Sequence, residues 1–332
     1  MAETSGGTVR SGVLFGLVAY IAWGLVPIYF QQIKHVPPLE ILAHRIVWSI
    51  LVLLIVSTLI GLWPEIFRVL RDRRLVLMLG FGSLFLASNW LLYIYATVTH
   101  RVTEAGLGYF MMPLVNAALA RVFLGERLRL AHYPALTLVA IGVAIPILWT
   151  GDFTWLAVAL PVTFGFYSLI RKQVPVGGLA GLMVETLLLL LPSVAFLLLE
   201  SSAGRGQFGT QSRSLDGLLL FSGVVTVIPL ATFAVSVRRM PLLANSFIQF
   251  VSPTIQMLIA VIWIGEAIPP ERWAAILCVW AAVVIFLADA LWKATRTPQN
   301  APKPGEVSPP LPEAVTASSP FTATNVRFAW NR

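Results

Sequence analysis

Three ionisable side chains sit in apolar runs where a membrane helix has no ordinary use for them. His44 and Arg45 stand together in one run and Glu185 in another. By insertion scales a central arginine costs about 2.5–3.5 kcal/mol, so such groups turn toward a cavity or a partner. Arginine offers a fixed positive charge. A buried carboxyl and a histidine are the groups able to carry a proton near neutral pH. At an offset of 141 residues His44 and Arg45 fall opposite Glu185 and Thr186. Arg45 and Glu185 are therefore expected to point into one central space, as partners or as guards of its two entrances. The plainer alternatives are snorkelling of Arg45 to the outer headgroups and placement of Glu185 at the inner interface. For His44 the plainer role is a hydrogen-bonded structural one.

A second set is made of amides and aromatics. The stretch Gly106-Leu107-Gly108-Tyr109-Phe110-Met111-Met112-Pro113 has an echo 140 residues later, ending Gln249-Phe250-Val251-Ser252-Pro253. Phe110 matches Phe250, Pro113 matches Pro253, and Gly125-Glu126 matches Gly265-Glu266. At helical spacing Tyr109, Met112, Pro113 and Asn116 share a face, as do Asn245, Gln249, Ser252, Pro253 and Gln256. Each proline removes a backbone hydrogen bond and frees a carbonyl one turn earlier, here that of Tyr109 or Gln249. Kinks at Pro113 and Pro253 beside polar groups would make a substrate surface. The same groups could equally hold a helix bundle together. Asn89 and Tyr93, four residues apart, share another face, and Trp23 and Tyr167 are aromatic candidates for a cavity wall. Trp149, Trp155, Trp273 and Trp292 lie near helix ends and read as headgroup anchors. The two Gly-Glu pairs read as helix stops with structural glutamates.

The elements that carry these residues follow from composition. Of 332 residues, 58% are hydrophobic and 11% charged, against about 25% charged in soluble domains. The apolar residues come in ten blocks, at 12–31, 41–60, 75–96, 103–122, 132–150, 153–172, 179–199, 215–237, 244–264 and 271–292. About 20 apolar residues suffice to cross a bilayer as a helix. The expected fold is an all-α polytopic membrane protein with ten transmembrane helices, in contact with a lipid bilayer. The first block lacks a cleavage site and reads as a membrane helix. The net charge of +8 is accounted for by basic residues at helix ends, so no nucleic-acid partner is expected. One cysteine, Cys278, excludes an intrachain disulfide, and no Cys/His spacing suggests a metal. Residues 1–11 read as loose, and the Pro-rich tail 293–332 as disordered.

With the N-terminus inside, fourteen basic residues fall on the inner side and five on the outer, which puts both termini in the cytoplasm. Each repeat, 12–150 and 153–292, holds five helices. An odd number forces the second copy to enter the membrane from the opposite side. Two inverted five-helix repeats with a site between them are a recurrent design of secondary transporters.

The chain resembles the RarD branch of the EamA family, in the drug/metabolite transporter superfamily. The likeness lies in Trp23-Gly24-Leu25-Val26-Pro27, Pro37-Pro38-Leu39-Glu40 through His44-Arg45, Ser88-Asn89-Trp90 and Leu107-Gly108-Tyr109-Phe110. It continues in Phe164-Gly165-Phe166-Tyr167, Arg171-Lys172-Gln173-Val174-Pro175, Val184-Glu185-Thr186-Leu187, Gln249-Phe250 and Ser252-Pro253-Thr254. It covers about residues 12–292. One departure is Met112, where the family often has Asn. The resemblance implies a ten-helix inner-membrane carrier, in a branch labelled after chloramphenicol sensitivity.

The expected function is a secondary carrier of a small organic metabolite or drug, working by alternating access, with proton coupling and homodimerisation left open. No phosphate-binding loop, ATP-binding domain or redox motif is present, so no cofactor is expected. The candidate site is Trp23, His44, Arg45, Asn89, Tyr93, Tyr109, Asn116, Tyr167, Glu185, Gln249 and Gln256. The rival readings are an integral-membrane enzyme, for which the ionisable residues are too sparse, and a regulatory membrane protein.

Overall fold

Long apolar runs without strand-like alternation fold as helices. The computed structural model describes residues 3–123, 132–150, 155–239 and 248–296, and among them there is no strand. The helices are α1 (Glu3–Gln32), α2 (Pro38–Leu59), α3 (Trp63–Arg71), α4 (Arg73–Val98), α5 (Val102–Phe110), α6 (Met112–Phe123), α7 (His132–Thr150), α8 (Trp155–Gln173), α9 (Gly178–Ser202), α10 (Arg213–Arg239), α11 (Val251–Ile259) and α12 (Pro270–Arg296). Among the described residues, five spans, in α1, α2, α4, α9 and α10, are long and apolar enough to cross a membrane. Many large apolar side chains on the outside are exposed, Leu51, Ile55, Leu77, Leu188 and Leu191 among them, as suits a surface solvated by lipid tails.

Several elements depart from the sequence expectation. Helix α1 begins at Glu3 rather than after residue 11, because a nucleated helix extends at one hydrogen bond per residue. The connection after α2 contains the short helix α3, whose Ile66 and Val69 are buried while Arg68 and Arg71 are exposed. Its apolar stripe is one turn deep, too short to register as a hydrophobic block. The fourth apolar run is interrupted at Met111, between α5 and α6. In the second copy the turn lies at 249–250, just before α11. Pro113 and Pro253 thus fall in the first turn of a new helix, where a missing N–H costs nothing; they start segments instead of kinking continuous ones. The Gln249 carbonyl, expected to be free, accepts the Ser252 N–H at 3.2 Å. Gly125-Glu126, Asn245 and the tail from residue 297 lie outside the described residues.

Contacts tie residues 1–292 into one compact unit. Helix α1 packs on α10 and α11, α2 on α9 and α10, α4 on α8 and α9, α8 on α5 and α6, and α5 on α11. The repeat offset equates α1 with α8, α2 with α9, α4 with α10, and α6 with α11, while most of the counterpart of α5 lies outside the described residues. Exchanging these equivalents turns each of these packing pairs that does not involve α5 into one of the same set. The symmetry extends to single residues. A Cβ on Gly24 would meet the Ile255 Cβ at 2.7 Å, and one on Gly165 would meet the Val115 Cγ1 at 2.9 Å. Both residues of the first pair map onto the second, at offsets of 141 and 140. Phe110 and Phe250, which map onto each other, stack with ring centroids 6.2 Å apart.

Two prolines inside helices free carbonyls that the neighbouring helix uses. Pro27 leaves the Trp23 carbonyl without its helical N–H, and the Gln256 Nε2 donates to that oxygen at 3.3 Å. Pro161 does the same to Ala157, and Gly108 closes on that carbonyl so tightly that a Cβ there would lie 3.1 Å from the oxygen.

The second Gly-Glu pair has a defined role. Gly265 takes a positive φ of 74° and ends a π turn, Ala260–Ile264, that prolongs α11. The Glu266 carboxylate then accepts the backbone N–H groups of Val102 at 2.7 Å and Thr103 at 2.9 Å. It caps α5 from across the chain, on the positive end of the helix dipole. We expect Glu266→Ala to lower stability by about 1–2 kcal/mol, and Glu266→Gln by less. A thermal-unfolding measurement in detergent that left Glu266→Ala at the parent value would contradict the cap.

Candidate functional site

The interior polar groups form two clusters at different depths. The first is centred on Arg45, on α2. Its Nε donates to the Thr226 Oγ1 of α10 at 2.6 Å, and its guanidinium carbon sits 4.4 Å from the centre of the Trp90 ring on α4. Tyr29, Tyr93 and Tyr109 lie close enough to interact with it electrostatically. Tyr93 and Tyr109 pack with ring centroids 5.7 Å apart, and Phe30 closes on Tyr93 at 6.2 Å. Asn89, one residue before Trp90, bridges the halves: its Nδ2 donates to the Leu160 carbonyl at 2.9 Å and to the Thr163 Oγ1 at 3.2 Å, both on α8. Its Oδ1 accepts from the Tyr109 hydroxyl at 3.3 Å. Arg45, Asn89 and Tyr93 are buried, and Tyr109 is half-buried.

The second cluster holds Glu185, on α9, with no exposed surface. Its Oε2 accepts from the Tyr167 hydroxyl at 3.2 Å, and its Oε1 lies 3.7 Å from the Arg171 Nε. Arg171 also donates to the carbonyls of Gly177 and Gly178. The expected pairing of Arg45 with Glu185 does not occur. Glu185 approaches α4 at Gly82, where an added Cβ would lie 3.9 Å from Oε1, whereas Arg45 lies over Trp90. Eight residues of helix separate the two levels by about 12 Å.

His44 turns away from both clusters, since successive side chains of a helix diverge. Its Nδ1 accepts from the Trp48 Nε1 at 3.2 Å, and its ring lies 5.1 Å from Phe208 in the α9–α10 connection. Glu40, one turn earlier, accepts the Gln207 N–H at 2.7 Å. Together these residues strap the connection to the start of α2. The structural alternative is therefore the one that fits His44.

The remaining candidates are distributed. Trp23 packs between Tyr20 and Phe233. Gln256 is buried and joins α11 to α1, while Gln249 is half-buried in the turn before α11. Asn116, the repeat mate of Gln256, is instead exposed on α6, beside Gly165, so equivalent positions are unequally buried. Among the described residues, no group of His, Cys, Asp and Glu is arranged to hold a metal.

Comparison with known proteins bears on this arrangement. The EamA-like transporter family profile matches residues 10–148. Protein RarD of Salmonella typhi is 37% identical over 284 residues, 85% of this chain and 96% of that protein. An uncharacterized transporter of Vibrio cholerae is 36% identical over 282 residues, 85% of this chain and 93% of its own. The chain is a RarD-type member of the EamA family. A crystal structure 20% identical in sequence covers 87% of this chain and 99% of its own with a TM-score of 0.56, a likeness of fold alone. With its apolar helices, this membership makes the chain a multi-pass membrane protein.

Two interior residues of this EamA protein escaped the sequence reading. Arg171 stands beside Lys172 at a helix end, where a basic pair reads as a topology signal. Thr226 is a lone hydroxyl in an apolar run. Only their three-dimensional neighbours mark them out.

Proposed function

We propose that the chain is a secondary carrier of a small organic molecule, built as ten membrane helices in two inverted repeats that move about a central site. The observation that carries this reading is that the interior polar groups of one half bond into helices of the other. Arg45 bonds into α10, and Asn89 into α8. Motion of one half against the other would reshape both. The matched contacts of Gly24 with Ile255 and of Gly165 with Val115 support a pseudo-two-fold relation. The apolar, aromatic and amide surroundings suit a substrate with both apolar and polar parts. Arg45 and Glu185, about 12 Å apart along α4, lie toward opposite faces if both termini are cytoplasmic. Glu185 is the candidate for coupling to protons.

Reconstitution into proteoliposomes tests the proposal. The purified protein is expected to catalyse counterflow of a labelled substrate found by thermal-shift screening, and an imposed pH gradient is expected to drive net accumulation. If no stabilising compound exchanges across the bilayer, the carrier reading fails. Flux indifferent to the gradient removes proton coupling alone.

A further inference from the structure

The arginines with ion partners set a pattern that Arg45 breaks. Arg68, Arg101, Arg171 and Arg205 each lie within 4.0 Å of a glutamate oxygen, although all are more exposed than Arg45. Arg45 is 6% exposed and, among the described residues, has no carboxylate at that distance. Guanidinium carries five N–H donors. The Nε–H is used by Thr226, while the four donors on the terminal nitrogens have no hydrogen-bonding side chain or carbonyl among the described residues. A buried charge without a counter-charge is costly, and the Trp90 ring offsets it only in part.

The neighbouring hydroxyls narrow the chemistry. Tyr109 donates to Asn89, and Tyr29 donates to the Leu218 carbonyl at 2.8 Å. The Tyr93 hydroxyl is buried without a hydrogen bond of normal geometry. Its polar neighbour Thr97 commits its own proton to the Tyr93 carbonyl. Unused donors of Arg45 therefore lie near the Tyr93 hydroxyl, whose own neighbour is Thr97, within a wall made of Trp90, Tyr109 and Phe30.

We infer that this cluster binds an aromatic monocarboxylate, its carboxylate held by the terminal nitrogens of Arg45 and the Tyr93 hydroxyl and its ring among Trp90, Tyr109 and Phe30. The inference rests on the carrier reading and names its substrate class. A planar guanidinium matches a carboxylate through two parallel N–H donors. One arginine without a second cation suits a single negative charge, and the aromatic wall suits a ring.

The test uses the full-length protein in detergent with phenylacetate and 3-phenylpropionate, their neutral amides, and phenethylamine. Binding is read by thermal shift and by tryptophan fluorescence. The carboxylates are expected to bind at least about ten-fold more tightly than the amides, the scale of a hydrogen bond to a charged group. Arg45→Gln is expected to erase that preference, Arg45→Lys to keep part of it, and Tyr93→Phe to weaken the carboxylates several-fold. Should Arg45→Gln fail to yield a monodisperse protein, the lysine and phenylalanine variants decide. The inference is overturned if the carboxylates do not bind, if amide or amine binds as tightly, or if the preference survives at its full parent value in Arg45→Gln, Arg45→Lys and Tyr93→Phe. Uptake of labelled phenylacetate into proteoliposomes separates the two readings. Arg45-dependent binding without uptake sinks the carrier and keeps the anion site. Uptake of a different chemistry, unaffected in Arg45→Gln, does the reverse.

Discussion

Gly223→Val is expected to deplete the folded protein from the membrane fraction. Gly223 lies on α10 directly against the backbone of α2. A Cβ there would overlap the Trp48 carbonyl and stand 2.9 Å from the Ser49 nitrogen. A flexible side chain could swing aside; a helix backbone cannot. The two helices would have to part, and the Arg45–Thr226 bond lies less than one turn along the same contact. Overpacking a tight interface costs about 1–3 kcal/mol and sometimes more; the backbone collision and the strained Arg45 contact put Gly223→Val at or above the upper figure. Gly217→Ala, on the same helix with nothing within 4 Å, is the control. It removes glycine's entropy cost, about 0.5–1 kcal/mol in a helix, and should be neutral or stabilising. Membrane abundance and the unfolding temperature in detergent report both. Equal behaviour of the two variants would mean that α2 and α10 do not meet as described. Gly24→Ala should fall between them, because the new Cβ would meet the Ile255 Cβ at 2.7 Å, a closer approach than real contacts show but less severe than the collision with the Trp48 carbonyl.

Residues that violate their local surroundings were legible in the sequence, and residues whose meaning lies in a distant partner were not. Arg45 and Glu185 are conspicuous because charge is expensive in an apolar run. That Arg45 bonds to Thr226, 181 residues away, has no local signal. Arg171 had a sufficient local explanation as an inner-side charge, which hid its pairing with Glu185. The symmetry argument supplied the offset of about 140 residues that also relates Gly24 to Gly165, a pair recognised only from their matched contacts. It failed for Asn116, because a mapped position shares a backbone environment and not a side-chain neighbour. Helix α3 was missed because one buried turn carries too little periodicity. The prolines were placed at the right points with the wrong consequence, since a proline in the first turn starts a helix as readily as a mid-helix proline bends one.

The Glu185 cluster supplies the second large effect. Arg171→Leu is expected to lower stability by about 3 kcal/mol, the scale of breaking a buried ion pair from one side. The fully buried carboxylate would keep only the Tyr167 hydroxyl. Glu185→Gln should cost less, about 1 kcal/mol, because an amide tolerates burial better than an unpaired charge. The double variant is then expected to recover most of the Arg171→Leu loss, since the charge that made the loss expensive is gone. A coupling energy of about 1–3 kcal/mol in the cycle is the signature. Gly181→Ala approaches the same cluster from the other side: its Cβ would collide with the Arg171 guanidinium and push it off Glu185. It should therefore lose stability in the parent and much less in Glu185→Gln. Strict additivity across both cycles would mean that Arg171 and Glu185 do not interact. If the coupling appears, transport separates structure from mechanism. Glu185→Gln in the double variant restores packing but removes the exchangeable proton, so a stable double variant that still responds to a pH gradient would exclude Glu185 as the coupling group.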